Sequence, residues 1–249
     1  MYRLLILTVL ITSMSICQEM EKKPKGDDII MFSLNHSLQI PGGDLSKRFG
    51  NNSDISGTIM HKTKNNLIFN LEAGFLFGGN VKETNLFNAI DGNNGDLISQ
   101  NGEIPIIRLF QRGTRVDFNF GKYFTIPMKH SESGIVISIG MGYLYHKIFI
   151  ETLTIELPQL NEELIKGYDR LCAGLTTKQF IGYMHFSKKN NIRYLIGLES
   201  IQAFTKSLRG YNYNTQSIDD AQRKDYLFGF KTGFIIPINQ RKVERYYIY

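Results

Sequence analysis

Residues 110 to 124 read Phe110-Gln-Arg-Gly-Thr-Arg-Val-Asp-Phe-Asn-Phe-Gly-Lys-Tyr-Phe124. Val116, Phe118 and Phe120 fall on one face of an alternating pattern; Arg115, Asp117, Asn119 and Gly121 fall on the other. A period of two with unlike faces is the signature of a β-strand that separates two environments. Arg112 and Lys122 stand just beyond the two ends of the apolar band, so the band has a definite height.

The same period runs through most of the chain. Phe32 to Ile40 alternates Phe32, Leu34, His36, Leu38 and Ile40 with Ser33, Asn35, Ser37 and Gln39. Leu67 to Gly78, Ile135 to Lys147 and Tyr226 to Ile236 repeat it with Phe, Leu, Ile and Tyr against a glycine-rich face. Ile55 to Lys62 is shorter, Leu171 to Phe186 slips near Gln179 in a way that predicts a bulge, and Tyr194 to Thr205 alternates clearly only at its start. Eight strands result.

Their connections alternate in length. Lys62 to Asn66, Ile126 to Gly134 and Ser187 to Asn191 are short; Pro41 to Asp54, Gly79 to Ile107, Glu151 to Arg170 and Lys206 to Lys224 are long. With both ends of the barrel segment on one side, all short turns lie there and all long loops opposite, as in outer-membrane barrels. The apolar face is bulky and aromatic, ending in Tyr143, Tyr145 and Tyr226 where an interfacial girdle belongs, while the other face is glycine-rich and charged. Spans of this length suit a tilted membrane strand, and closure removes edges that lipid would not tolerate. The expectation is an all-β, closed, antiparallel, up-and-down transmembrane barrel of eight strands. A soluble periplasmic β-domain binding a small apolar ligand is the alternative, since alternation alone does not say which face meets the core.

From Ile29 to Ile238 the pattern resembles the small eight-stranded outer-membrane barrels of the OmpX and OmpA-domain type. The resemblance rests on strand number, loop asymmetry and the last strand, Tyr226-Leu-Phe-Gly-Phe-Lys-Thr-Gly-Phe234. It implies recognition by the barrel-insertion machinery and residence in the outer-membrane bilayer. Pro237 to Tyr249 departs from the family, whose members usually stop at the final aromatic. Tyr249 is either the terminal aromatic or the end of a periplasmic tail over residues 239–249.

The chain opens with Arg3, an apolar run from Leu4 to Ile11, then Ser15 and Cys17, the order of a secretory signal too short to span a bilayer. Cleavage after Cys17 is expected, giving a signal over 1–17, a periplasmic segment over 18–28 and the barrel over 29–238. Lipidation at Cys17 is the competing outcome, disfavoured because Ile16 is not small. Cys172 is then the only cysteine, which excludes an intrachain disulfide and reads as a buried apolar residue rather than a reactive thiol. The net charge of +6 is scattered over turns and suits solvated faces and lipid head groups better than nucleic acid.

Six charged residues fall on the inward face: Glu72, Arg115, Asp117, Lys178, Glu199 and Lys231. Three acids and three bases in a narrow interior predict mutual pairing, since unpaired buried ions are costly; a proton or ion path is the alternative. An eight-stranded barrel is only wide enough for its own side chains. Histidines 36, 61, 130, 146 and 185 show no metal-site spacing, and there is no G-x-S-x-G, phosphate loop or paired-cysteine motif. The expectation is a chain with no catalytic, cofactor-binding or metal residue. His36, on the apolar face, keeps a membrane-embedded lipid acyl hydrolase or transferase as an alternative to a non-enzymatic structural or partner-binding barrel. Partner contacts belong to the long loops, where Leu86, Phe87, Ile90 and Leu97 suggest a local cap and Asn161 the start of a helical turn.

Overall fold

The computed structural model describes residues 28–83, 86–88, 90, 97, 99, 102–126, 133–153, 157–186 and 193–238. Its barrel strands are β1 (Ile29–Gly43), β2 (Asn52–Lys62), β3 (Leu67–Gly78), β4 (Ile106–Thr125), β5 (Gly134–Leu153), β6 (Cys172–Phe186), β7 (Arg193–Ser207) and β10 (Gln222–Pro237). A four-residue helix α1 (Leu45–Arg48) follows β1, and a two-stranded hairpin of β8 (Tyr211–Asn212) and β9 (Ser217–Ile218) rises from the last long loop. The order around the ring is β1-β10-β7-β6-β5-β4-β3-β2, each neighbour antiparallel, and β1 closes on β10 from Met31↔Pro237 to Gly43↔Asp225. Every barrel strand thus has two partners, which is what lipid demands of a sheet.

The barrel is inside-out relative to a soluble one. Phe118 is 53% exposed while its neighbours Asp117 and Asn119 are buried, and Leu34, Ile59, Leu71, Ile139, Leu198 and Phe230 point outward in the same way. So continuous an apolar surface around a charged interior is incompatible with water on the outside and is the polarity of a transmembrane β-barrel. A soluble domain with an apolar ligand cavity would need the opposite arrangement. Among the described residues no helix is long and apolar enough to cross a membrane, so the crossing is made by strands.

Several strand limits differ from the sequence reading. β4 and β5 each run 20 residues and stay paired from Thr125↔Gly134 up to Ile106↔Leu153, well above the aromatic girdle. β2 begins at Asn52, because Asn52 and Asp54 face inward and broke the apolar pattern on which the shorter strand rested. No bulge occurs at Gln179. The ladder from Gly134↔Met184 to His146↔Cys172 is unbroken, as is that from Cys172↔Ser207 to Phe186↔Arg193. The slip arises because Thr177 and Gln179 are polar residues on the outward face. Residues 1–27 and 239–249, which carry the expected signal and tail, lie outside the described residues, as does His130.

Candidate functional site

The lumen is stacked in layers. Nearest the termini, Met31, Met60, Ile68, Tyr123, Val136, Met184, Leu195 and Ile235 form a buried apolar plug. Over it lies a polar tier in which Asn119 Nδ2 donates to Asn70 Oδ1 at 2.6 Å and Asn35 Nδ2 to Thr58 Oγ1 at 2.9 Å. Ser33, Asn35, Asn70, Asn119 and Ser138 here line a cavity of about 20 Å³, room for about one water molecule.

The ionic tier comes next. The structure brings Glu72, Arg115, Asp117, Lys178, Glu199 and Lys231 together, all buried. Arg115 Nη2 donates to Glu72 Oε1 at 2.5 Å, and Arg115 Nη1 to Asp117. Lys178 Nζ lies 2.9 Å from Glu72 Oε1 and 3.2 Å from Glu199 Oε2. Lys231 pairs with Glu72 and stands 3.4 Å from Glu199 Oε2. Neutral donors add to the tier: Gln39 Nε2 to Glu199 Oε1 at 2.9 Å and Thr176 Oγ1 to Asp117 Oδ1 at 3.1 Å. Asp54 joins them, receiving Arg115 Nη2 at 2.8 Å and Nε at 3.1 Å. Sequence reasoning missed it because its strand was started one residue later, at Ile55; the run Asp54-Ile-Ser-Gly-Thr-Ile-Met already carried the signal.

Above the ions, Leu76, Leu144, Ile201 and Leu227 close the lumen a second time and continue into Leu45, Phe49, Leu86, Leu157, Leu160 and Tyr168 from the loops. The described loop residues pack as a cap. Asn161 Oδ1 accepts from the N–H groups of Glu163 and Leu164 at 3.1 and 2.8 Å, starting the short turn that the sequence suggested. Glu83 joins Arg48 and Arg170, each at 3.3 Å, and Arg209 grips Asp169 with bonds of 3.1 and 2.6 Å. Beneath the cap His146 Nε2 lies 3.1 Å from Asp225 Oδ2, which also receives Thr205 Oγ1 at 2.5 Å. Cys172 is buried there, its Sγ receiving Arg48 Nη1 at 3.3 Å, so the thiol is packed away from solvent.

His36 faces outward opposite Thr232, whose hydroxyl bonds the His36 carbonyl oxygen at 3.5 Å. Ser133 Oγ and His185 Nδ1 meet at 3.0 Å on the lower rim, but Ser133 is buried and its oxygen accepts the Phe186 N–H at 3.2 Å. That contact ties the foot of β5 to the foot of β6. Among the described residues no three His, Cys, Asp or Glu side chains are grouped as metal ligands would be.

Fold and lumen together define a transmembrane β-barrel with a charged, side-chain-filled interior. No protein-family model matches the chain, and no curated protein sequence matches it. Solved structures of similar shape include Neisserial surface protein A, at 7% identity and TM-score 0.43 over 83% of this chain and 96% of that one. Ail, the attachment invasion locus protein of Yersinia pestis, solved with the heparin analogue sucrose octasulfate, is 8% identical at TM-score 0.40 over 85% and 100%. The N-terminal β-barrel domain of Pseudomonas aeruginosa OprF is 8% identical at TM-score 0.40 over 84% and 100%. The closed ladder and its inverted polarity, not these likenesses, define the class.

Proposed function

We propose that the chain resides in an outer membrane, inserted by the barrel-insertion machinery, and serves there as a non-enzymatic structural or partner-binding component acting through its loop cap. The observation that carries this is the doubly closed lumen: an ionic tier with its charges paired, lying between two apolar plugs. Ions crossing it would have to break buried pairs and then pass an apolar constriction. The interior charges are therefore assigned a structural role, filling the barrel and pinning its strands.

What remains for interaction is the cap, cross-linked by Glu83, Asp169 and their arginines. The β8–β9 hairpin raises Tyr211 and Ile218 to the surface, and Leu208 and Tyr213 are exposed beside it. Apolar side chains held on a rigid, otherwise solvated cap fit a protein contact. The decisive measurement is conductance of the refolded barrel in a planar bilayer. A silent membrane agrees with a sealed scaffold; discrete openings carried by the wild type would overturn it.

A further inference from the structure

The outward surface of the β6–β7 seam departs from the rest of the barrel. Going up the seam, its outward cross-strand pairs are Ile181↔Leu198, Gln179↔Ser200, Thr177↔Gln202 and Leu175↔Phe204. The two middle pairs are wholly polar and lie between apolar ones. Sideways, Ile139 and Met141 on β5 pair with Gln179 and Thr177, Phe228 on β10 pairs with Ser200, and the girdle residue Tyr226 on β10 pairs with Gln202. The result is a polar island inside the lipid-facing band.

The island is knit internally. Gln179 and Gln202 exchange amide bonds, Nε2 of each to Oε1 of the other, at 3.0 and 2.9 Å. Thr177 Oγ1 donates to Gln202 Oε1 at 2.8 Å, and Gln202 Nε2 donates a second time to Ser200 Oγ at 2.7 Å. These four bonds use both N–H groups of Gln202 and both lone pairs of its oxygen. One N–H of Gln179 and the hydroxyl proton of Ser200 are left to give, and Gln179 Oε1 and Thr177 Oγ1 retain lone pairs to accept. Thr177 and Gln179 are exposed at the surface. In hydrocarbon such donors and acceptors have no solvent to bond.

We infer that this island is the contact through which two copies of the chain associate side by side in the membrane. A closed, symmetric pair of copies inserted with the same orientation is related by a two-fold axis along the membrane normal, so residues meet others at their own depth. The island of one copy therefore faces the island of the other. Because it offers donors and acceptors together, it complements itself, as an all-donor or all-acceptor patch would not. The surrounding Leu175, Ile181, Leu198 and Phe204 would pack as an apolar rim, and interhelical membrane contacts give the energetic precedent for polar side chains as glue.

The test uses the full chain refolded into phosphatidylcholine vesicles, with closure checked by heat-dependent gel migration. Two separately labelled pools are mixed and energy transfer is followed as lipid is added. Association that weakens on dilution is expected for the wild type, with the dissociation constant raised about tenfold or more in Gln179→Leu/Gln202→Leu. A second measurement does not depend on how that double variant folds. Gln179→Cys should form an oxidative cross-link beyond any seen in the wild type, and Leu71→Cys, on the far side at β3, should not. A wild type that stays monomeric at high protein-to-lipid ratio, a double variant that associates undiminished, or equal cross-linking from Leu71→Cys would each overturn the inference.

Discussion

Asp54 on β2 and Arg115 on β4 meet across the full width of β3, joined by two hydrogen bonds of 2.8 and 3.1 Å. They pass over Gly74, where an added Cβ would stand 2.6 Å from Asp54 Oδ2 and 3.0 Å from Arg115 Nε. The glycine is what lets two side chains from non-adjacent strands touch. Arg115→Met leaves Asp54, Glu72 and Asp117 without their shared guanidinium, and should lower stability in urea unfolding by about 3–5 kcal/mol. Gly74→Ala should cost about 1–3 kcal/mol through displaced side chains. An Arg115→Met barrel as stable as wild type would remove the structural role of the ionic tier.

Much of this is legible in the amino-acid sequence, for a physical reason. A strand between lipid and a packed lumen reports both surfaces in alternate residues, so Phe118 and Asp117 declare the two sides at once. The six interior ions followed directly from that parity. Parity fails where a face departs from its usual chemistry: the outward Thr177 and Gln179 imitated a bulge, and the inward Asn52 and Asp54 hid the start of β2. The cap was less visible. Leu45 and Phe49 close the mouth from a four-residue helix and the residue after it, too short to show a period, and the Glu83–Arg48–Arg170 cluster joins three loops by contacts that no local pattern encodes.

The outward face can be tested at one residue. Phe118→Arg sets a guanidinium in the middle of the apolar band and should cost about 2–4 kcal/mol in a membrane-refolded barrel. The same change at Thr114, two outward positions nearer the cap and next to Arg112, should cost about 0–1 kcal/mol. Equal costs at the two depths would mean that the band does not face lipid.

Topology gives a third expectation. The short turn at Lys64 and Asn65 lies on the side of the termini, whereas the turn joining β8 to β9 lies at the far end of the barrel. A protease site placed at Thr215 should be cut on intact cells and one at Asn65 only after the envelope is opened. The reverse pattern would invert the orientation.

At the foot of α1, Lys47 Nζ donates to Asp44 Oδ1 at 2.8 Å and the Lys224 N–H donates to Asp44 Oδ2 at 2.9 Å. The Lys47 bond foremost, then the Lys224 N–H, hold the Asp44 carboxyl below its ordinary value. A lowered carboxylate stabilises above its unfolded value, near ~3.9, and that contribution fades as pH falls through the lower folded value. Amide exchange at Lys224 should therefore be protected at neutral pH and gain speed, relative to its intrinsic rate, only below about pH 4. In Asp44→Asn that acid-dependent loss of protection should vanish.

The last prediction separates a structural tier from a conducting one. Lys231 reaches from β10 to Glu72 on β3, residues far apart on the ring, and pairs with it more closely than with Glu199 at 3.4 Å. If the tier exists to hold the barrel together, Glu72→Gln leaves Lys178 and Lys231 to share Glu199 alone, and Lys231→Met leaves Glu72 with Arg115 and Lys178. Each should destabilise by about 3 kcal/mol, because the charges that lose a partner stay buried. The double variant should then lose less than the two singles combined, and the shortfall measures the coupling of the pair. A proton path predicts something else: single variants that unfold like the wild type, yet abolish a flux that the wild type carries. Urea unfolding and proton leakage would be read on the same refolded vesicles. Non-additive stability losses with a leak-free wild type support the pinned, sealed lumen, and stable single variants with altered flux would sink it.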